Sequence, residues 1–114
     1  MSVTIYHNPR CSKSRQTLDL IRGKGIEPAV IEYLTAPPSA DELRRIIGML
    51  GIAPRALMRS KEAAEVGLDD GSLSDDTLIE GMVKHPAVIE RPIVISGERA
   101  AIGRPPERIL DILS

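Results

Sequence analysis

Apolar positions change period several times along the chain, and each change marks an element. Val3-Thr4-Ile5-Tyr6 is β-branched and aromatic and runs into His7-Asn8-Pro9, which predicts a strand ended by a turn. From about Ser12 to Lys24, Leu18 and Ile21 fall at helical spacing, and Gly23 and Gly25 close the segment. Ala29-Val30-Ile31-Glu32-Tyr33 follows Pro28 as a second strand, so the first two strands and the helix between them predict a parallel, right-handed β-α-β unit. Ser39-Ala40-Asp41-Glu42 is a capping box, opening a helix with Leu43, Ile46, Ile47 and Leu50 on one face and Gly51 at its end. Ala56–Arg59 and Lys61–Val66 read as short helical pieces, and Ser74 caps a further helix that turns Leu78, Ile79, Met82 and Val83 inward. Pro92–Ile95, the turn Ser96–Arg99 and Ala100–Ile102 predict a β-hairpin. Pro105-Pro106 then lead into a closing helix with Ile109, Leu110 and Leu113.

The order β-α-β, helical insertion, β-β-α is the skeleton of an α/β, thioredoxin-like fold with a mixed four-stranded sheet. At 114 residues the chain is expected to be one domain, 1–114, with the insertion at about 39–86. Apolar residues make up 42% of the chain, but there is no Phe or Trp. The core must therefore be aliphatic, with Tyr6 and Tyr33 as its only large rings. A net charge of −1 gives no electrostatic reason to expect nucleic acid or an anionic membrane as partner. No apolar run reaches transmembrane length, and the first residues do not read as a signal peptide. A single cysteine forms no internal disulfide, so the expected location is cytoplasmic.

Cys11 is where the chemistry concentrates. It falls between a strand and the amino end of a helix, where unpaired amides and the helix dipole favour an anion. Arg10, Lys13 and Arg15 crowd this loop, with no acidic residue before Asp19, and His7 is a further neighbour. Such a setting lowers a cysteine pKa from about 8.5. A lone cysteine is often only a small core hydrophobe. A filler, however, needs neither a proline turn before it nor a helix start and cations around it. Ser14 takes the fourth place of a Cys-x-x-Ser arrangement. Its hydroxyl serves equally as a helix-start residue or as a donor to the thiolate, but it cannot resolve a mixed disulfide, so an outside thiol must regenerate Cys11. Thr17 stands where a Cys-x5-Arg phosphatase would have its arginine. One cysteine and two separated histidines form no metal-ligand cluster, so no metal site is expected.

His7-Asn8-Pro9-Arg10-Cys11-Ser12-Lys13-Ser14-Arg15 resembles the active-site loop of the glutaredoxin-linked arsenate reductase family. The resemblance extends through Arg55–Arg59, Glu90–Val94 and Ile102–Pro105 to Asp111–Leu113. It implies that Cys11 is the nucleophile, that His7 tunes it, and that Arg59, Arg91 and Arg104 bind the oxyanion and its covalent adduct. Asn8, Ser14, Arg15 and Pro92 are implied supporting positions, with Pro92 a cis-proline beside the thiol. The implied reaction has Cys11 attack arsenate, glutathione add to the adduct, and a glutaredoxin release arsenite while restoring the thiol. Glutathione is then a co-substrate, and no tightly bound cofactor is expected. Arginine suits the task because its planar donors grip two oxygens together.

Ser12-Lys13 replaces the Gly-Thr common in the family and Arg10 adds a cation, and without the C-terminal extension of longer members the chain is expected to resemble a short branch. Two other readings stay open at this level. One is a monothiol, glutaredoxin-like reductase of mixed disulfides. The other is a regulator similar to the Spx-like proteins that contact RNA polymerase, although these carry a Cys-x-x-Cys switch that Ser14 does not supply.

Overall fold

The computed structural model describes residues 2–113. The chain divides into two compact units, one formed by residues 1–36 and 91–114 and the other by residues 37–90.

The first unit holds the sheet. Strand β1 (Val3–His7) leads through helix α1 (Ser12–Gly23) to β2 (Ala29–Glu32), and the chain returns as β3 (Ile93–Ser96) and β4 (Arg99–Ile102). Strand order is β2-β1-β3-β4. β1 pairs parallel to β2, with Ile5 opposite Val30, and antiparallel to β3, with Ile5 opposite Val94. This is the thioredoxin-like, mixed four-stranded sheet that the order of elements predicts. The hairpin between β3 and β4 needs only Gly97 and Glu98, and Gly97 supplies the left-handed φ of 62° that a two-residue connection demands at its first position.

Central β1 is buried along most of its length, with β2 and β3 paired at its edges and α1 and the closing segment packed against Val3 and Ile5. Val3, Ile5, Leu18, Ile21, Val94, Ile109 and Ile112 form one aliphatic cluster, built without Phe or Trp. Full burial of each such side chain is worth about 1.5–3 kcal/mol. Tyr6 and Tyr33 are both buried, as the scarcity of rings requires. The closing segment differs from expectation. Residues Pro106–Ile112 form a 3-10 helix rather than an α-helix. Seven residues starting at a proline offer few four-residue hydrogen bonds, and the tighter turn still places Ile109 and Ile112 on the core face.

The second unit contains α2 (Ala40–Leu50), α3 (Ser60–Glu65) and α4 (Asp75–Lys84), with 3-10 turns at Pro54–Leu57 and Pro86–Val88. Its helices start and stop where local chemistry dictates. Ser39 accepts the Glu42 amide at 3.1 Å and its hydroxyl donates to the Glu42 carboxylate, while Gly51 closes α2 at φ 67°. Ser74 caps α4 in the same way, through the Thr77 amide at 3.2 Å. Leu43, Ile46 and Ile47 of α2 and Leu78, Ile79 and Met82 of α4 are buried, whereas Val83 is only half-buried. An isolated bridge joins Met58 to Ile89, with the Arg59 amide on the Val88 carbonyl at 2.7 Å and the Glu90 amide on the Leu57 carbonyl at 2.7 Å. No helix among the described residues is long and apolar enough to cross a membrane.

Replacing Ser39 with Ala removes the cap of α2 and is expected to lower unfolding free energy by about 1 kcal/mol, measured by chemical denaturation. An unchanged midpoint and slope would show that the cap contributes nothing to stability.

Candidate active site

The loop after β1 is folded by its own polar groups. The Cys11 amide donates to the Asn8 carbonyl at 3.0 Å, closing a turn with Pro9 at its second position, and the Arg10 amide donates to Asn8 Oδ1 at 3.0 Å. Beneath the turn, Ser14 is completely buried. Its Oγ accepts the Asn8 amide at 3.0 Å and lies 2.6 Å from His7 Nδ1. Arg15 clamps the outside, donating from Nη1 to the Pro9 carbonyl at 2.8 Å. His7 and Asn8 are themselves buried, so removing the Ser14 hydroxyl would strand two polar groups away from water, at a cost of about 1–3 kcal/mol.

Cys11 is the N-cap of α1, with extended backbone at φ −93° and ψ 122°, and it is half-buried. Its carbonyl accepts the Arg15 amide at 3.0 Å, which starts the helix, and the first turn carries no acidic side chain. The thiol makes no capping hydrogen bond of strict geometry, but the first-turn amides still face it. Burial pushes the Cys11 pKa up. That push is outweighed by the Ser14 amide, the Arg91 side chain, the Lys13 amide and the charge of Arg104, which together hold it below the ordinary cysteine value.

The two arginines arrive at the same end of the sheet as the thiol loop, because Ile93 lies opposite Tyr6. β3 and β4 pair from Ile93 opposite Ile102, and the chain continues past this pair as Arg91-Pro92 on one side and Gly103-Arg104 on the other. The Gly103 amide donates to the Pro92 carbonyl at 2.9 Å, and Arg104 Nε donates to the Arg91 carbonyl at 2.8 Å. With its guanidinium so anchored, Arg104 places Nη2 3.5 Å from Cys11 Sγ. The Arg91–Pro92 and Arg104–Pro105 peptides are both cis. Gly103 is required by space: a Cβ there would collide with Thr17 Oγ1 and lie 2.8 Å from Pro92 Cγ. Thr17 is buried and its own hydroxyl is spent on the Lys13 carbonyl at 2.8 Å.

The structure thus brings Cys11, Arg91, Arg104, Pro92, Asn8, Ser14, Arg15 and His7 into one constellation within the first unit, and it reassigns several parts. The cations that lower the thiol pKa are Arg91 and Arg104; Arg10 and Lys13 carry exposed side chains, and Lys13 acts through its amide. Ser14 presents its amide to the thiol while its hydroxyl faces His7 and Asn8. Burial holds the His7 pKa below its usual value against the pull of Glu32, with Arg22 and Arg15 adding to the decrease. The ring is therefore a neutral partner of Ser14 near neutral pH. Arg59 belongs to the second unit, where Nε donates to Glu62 at 2.8 Å and Nη1 to Glu90 at 3.0 Å. Sequence reasoning missed these carboxylates, though the three-residue spacing of Arg59 and Glu62 was a signal. It also missed Gly103 and Thr17, which space the two arginine-bearing ends.

Because folded Cys11 deprotonates at lower pH than the unfolded thiol, the unfolded chain holds more protons between the two values. Its contribution to stability is present above the unfolded value, about pH 8.5, and is lost as pH falls through the folded value. The stability difference between parent and Cys11→Ser is therefore expected to widen from about pH 6 to about pH 9, read from denaturation midpoints. A difference independent of pH would mean that the folded thiol is not acidified.

Residues 6–112 match the ArsC family. The chain is 51% identical over 114 residues to YfgD of Escherichia coli K12, spanning 97% of this chain and 96% of that one. It is 49% identical to an arsenate reductase of Escherichia coli, spanning 98% of this chain and 81% of the relative. Among solved structures, an arsenate reductase from Vibrio cholerae superposes with a TM-score of 0.95 at 53% identity, covering 99% of this chain and 98% of the other. By the extent of the match and the cysteine loop within it, the chain belongs to the ArsC family.

Proposed function

We propose that this protein is a thiol-dependent oxidoreductase that reduces arsenate to arsenite through Cys11, using glutathione and a glutaredoxin. The observation that carries the reading is the half-buried thiol at the start of α1, with Arg104 Nη2 3.5 Å from its sulfur and the Arg91 side chain also turned to it. A thiolate approaching an oxyanion brings negative charges together, and fixed donors at the point of attack offset that repulsion. Kinship with proteins named arsenate reductase supports the choice of anion.

In the proposed sequence the Cys11 thiolate replaces one arsenate oxygen, which leaves as water, and glutathione replaces a second in the same way. The glutaredoxin thiolate then takes the glutathione sulfur. The electron pair of the broken sulfur–arsenic bond stays on arsenic, reducing it from As(V) to As(III). Water displaces Cys11, releasing arsenite and the free thiol. Two thiols become one mixed disulfide and one oxygen leaves as water, which balances a two-electron reduction. Arg91 and Arg104 hold the arsenic-bound oxygens. Arg59 is proposed as a third oxyanion-binding residue on the strength of the family resemblance, with its Nε and Nη1 donating to Glu62 and Glu90. His7 acts on the thiol loop through Ser14.

Steady-state NADPH consumption coupled through glutathione reductase tests the proposal. Cys11→Ser is expected to abolish arsenate-dependent turnover, because a hydroxyl is a far weaker nucleophile at neutral pH. Arg91→Lys and Arg104→Lys are each expected to lower it by about 100- to 1,000-fold, since an ammonium keeps the charge but not the paired donors. Turnover that ignores arsenate, or an active Cys11→Ser protein, would overturn the reductase reading and favour reduction of mixed disulfides.

A further inference from the structure

Beside the thiol loop, on the β2 side, opens a cleft of about 250 Å³ lined by His7, Asn8, Arg10, Glu32, Leu34 and Thr35. Its two charged members, Arg10 and Glu32, are exposed and opposite in sign. Some exposed charges of the chain pair with one another, as Arg22 does with Glu27 and Arg44 with Asp41. Arg10 and Glu32 make no ion pair or side-chain hydrogen bond among the described residues. Each is fixed by its backbone: the Arg10 amide on Asn8 Oδ1 at 3.0 Å, and Glu32 in register opposite His7 with its carbonyl accepting the Thr35 hydroxyl at 3.2 Å. His7 is neutral near pH 7 through burial, so it adds no charge to the lining. Leu34, 42% exposed, supplies an apolar part of the lining.

One cation and one anion on a small cleft with an apolar wall suit a zwitterion that carries an ammonium and a carboxylate on one carbon, followed by methylenes. We propose that this cleft binds the γ-glutamyl end of glutathione, with Arg10 on the α-carboxylate, Glu32 on the ammonium and Leu34 under the methylenes. The assignment rests on the reductase reading for its choice of thiol. Position supports it, since Arg10 lines the cleft and Cys11 is the next residue, about 3.8 Å away between Cα atoms.

Titration calorimetry of the full chain with S-methylglutathione, which cannot form a bond to Cys11, measures this binding apart from chemistry. Saturable binding is expected, weakened about fivefold by Arg10→Gln and about fivefold by Glu32→Gln, the size appropriate to exposed charge contacts. With an analogue lacking the α-amino group, Glu32→Gln is expected to change nothing, which a merely structural role for Glu32 would not produce. Free glutamate is expected to bind more weakly than S-methylglutathione. The assignment is overturned if the parent shows no saturable binding, if both variants bind as the parent does, or if glutamate alone binds as tightly. Arsenate-dependent turnover alongside any of those results would leave the reductase reading standing. The expected binding without arsenate-dependent turnover would uphold the cleft and sink that reading.

Discussion

A thiolate partly withdrawn from water persists only while donors replace the water it has lost, and at Cys11 that substitution decides the architecture around it. Burial alone would keep the sulfur protonated. The Ser14 and Lys13 amides, the Arg91 side chain and the Arg104 charge reverse the balance, and each depends on a different part of the sheet unit. The amides exist because α1 begins at residue 12 with no acidic side chain in its first turn. They face the sulfur because the buried Ser14 hydroxyl ties the start of the helix to the end of β1 through His7 and Asn8. The arginines are in place because β3 and β4 run out of register pairs beside the loop, and Gly103 lets the two ends close over Thr17.

Much of this was legible in the sequence, for a physical reason. Ser39, Gly51, Ser74 and Gly97 act through local rules of capping and turn formation, and the structure uses each where those rules put it. The alternating and helical apolar patterns placed the strands and the principal helices to within a residue or two. What local rules could not supply were long-range choices. A cation near Cys11 in sequence looks like a natural partner for the thiol, yet Arg10 and Lys13 point outward, while the partners come from strands at the other end of the chain. The Ser14 hydroxyl was ambiguous between helix start and thiol donor because both need only proximity; buried His7 and Asn8 decide it. The closing segment read as α-helical from its apolar spacing, but a spacing of three at Ile109 and Ile112 fits a 3-10 turn equally well.

Arginine is used in two ways in this chain. Arg104 is steered by a carbonyl, which holds the guanidinium with Nη2 3.5 Å from the sulfur. Arg59 is held by two carboxylates, which fix it and offset its charge together. The proposed oxyanion chemistry leans most on Arg91 and Arg104, which both act on the thiol. The cleft at Arg10 and Glu32 would leave the second thiol to be recognised on the other side of the same loop.

The proposed chemistry depends on the state of one sulfur. The rate of Cys11 alkylation by iodoacetamide, followed against pH in the parent, Arg91→Gln and Arg104→Gln proteins, reports the thiolate directly. The inflection is expected below the free-cysteine value of about 8.5 in the parent and higher in both variants. A parent inflection at or above that value, or one that neither arginine moves, would contradict the claim that fixed donors hold a thiolate at the head of α1.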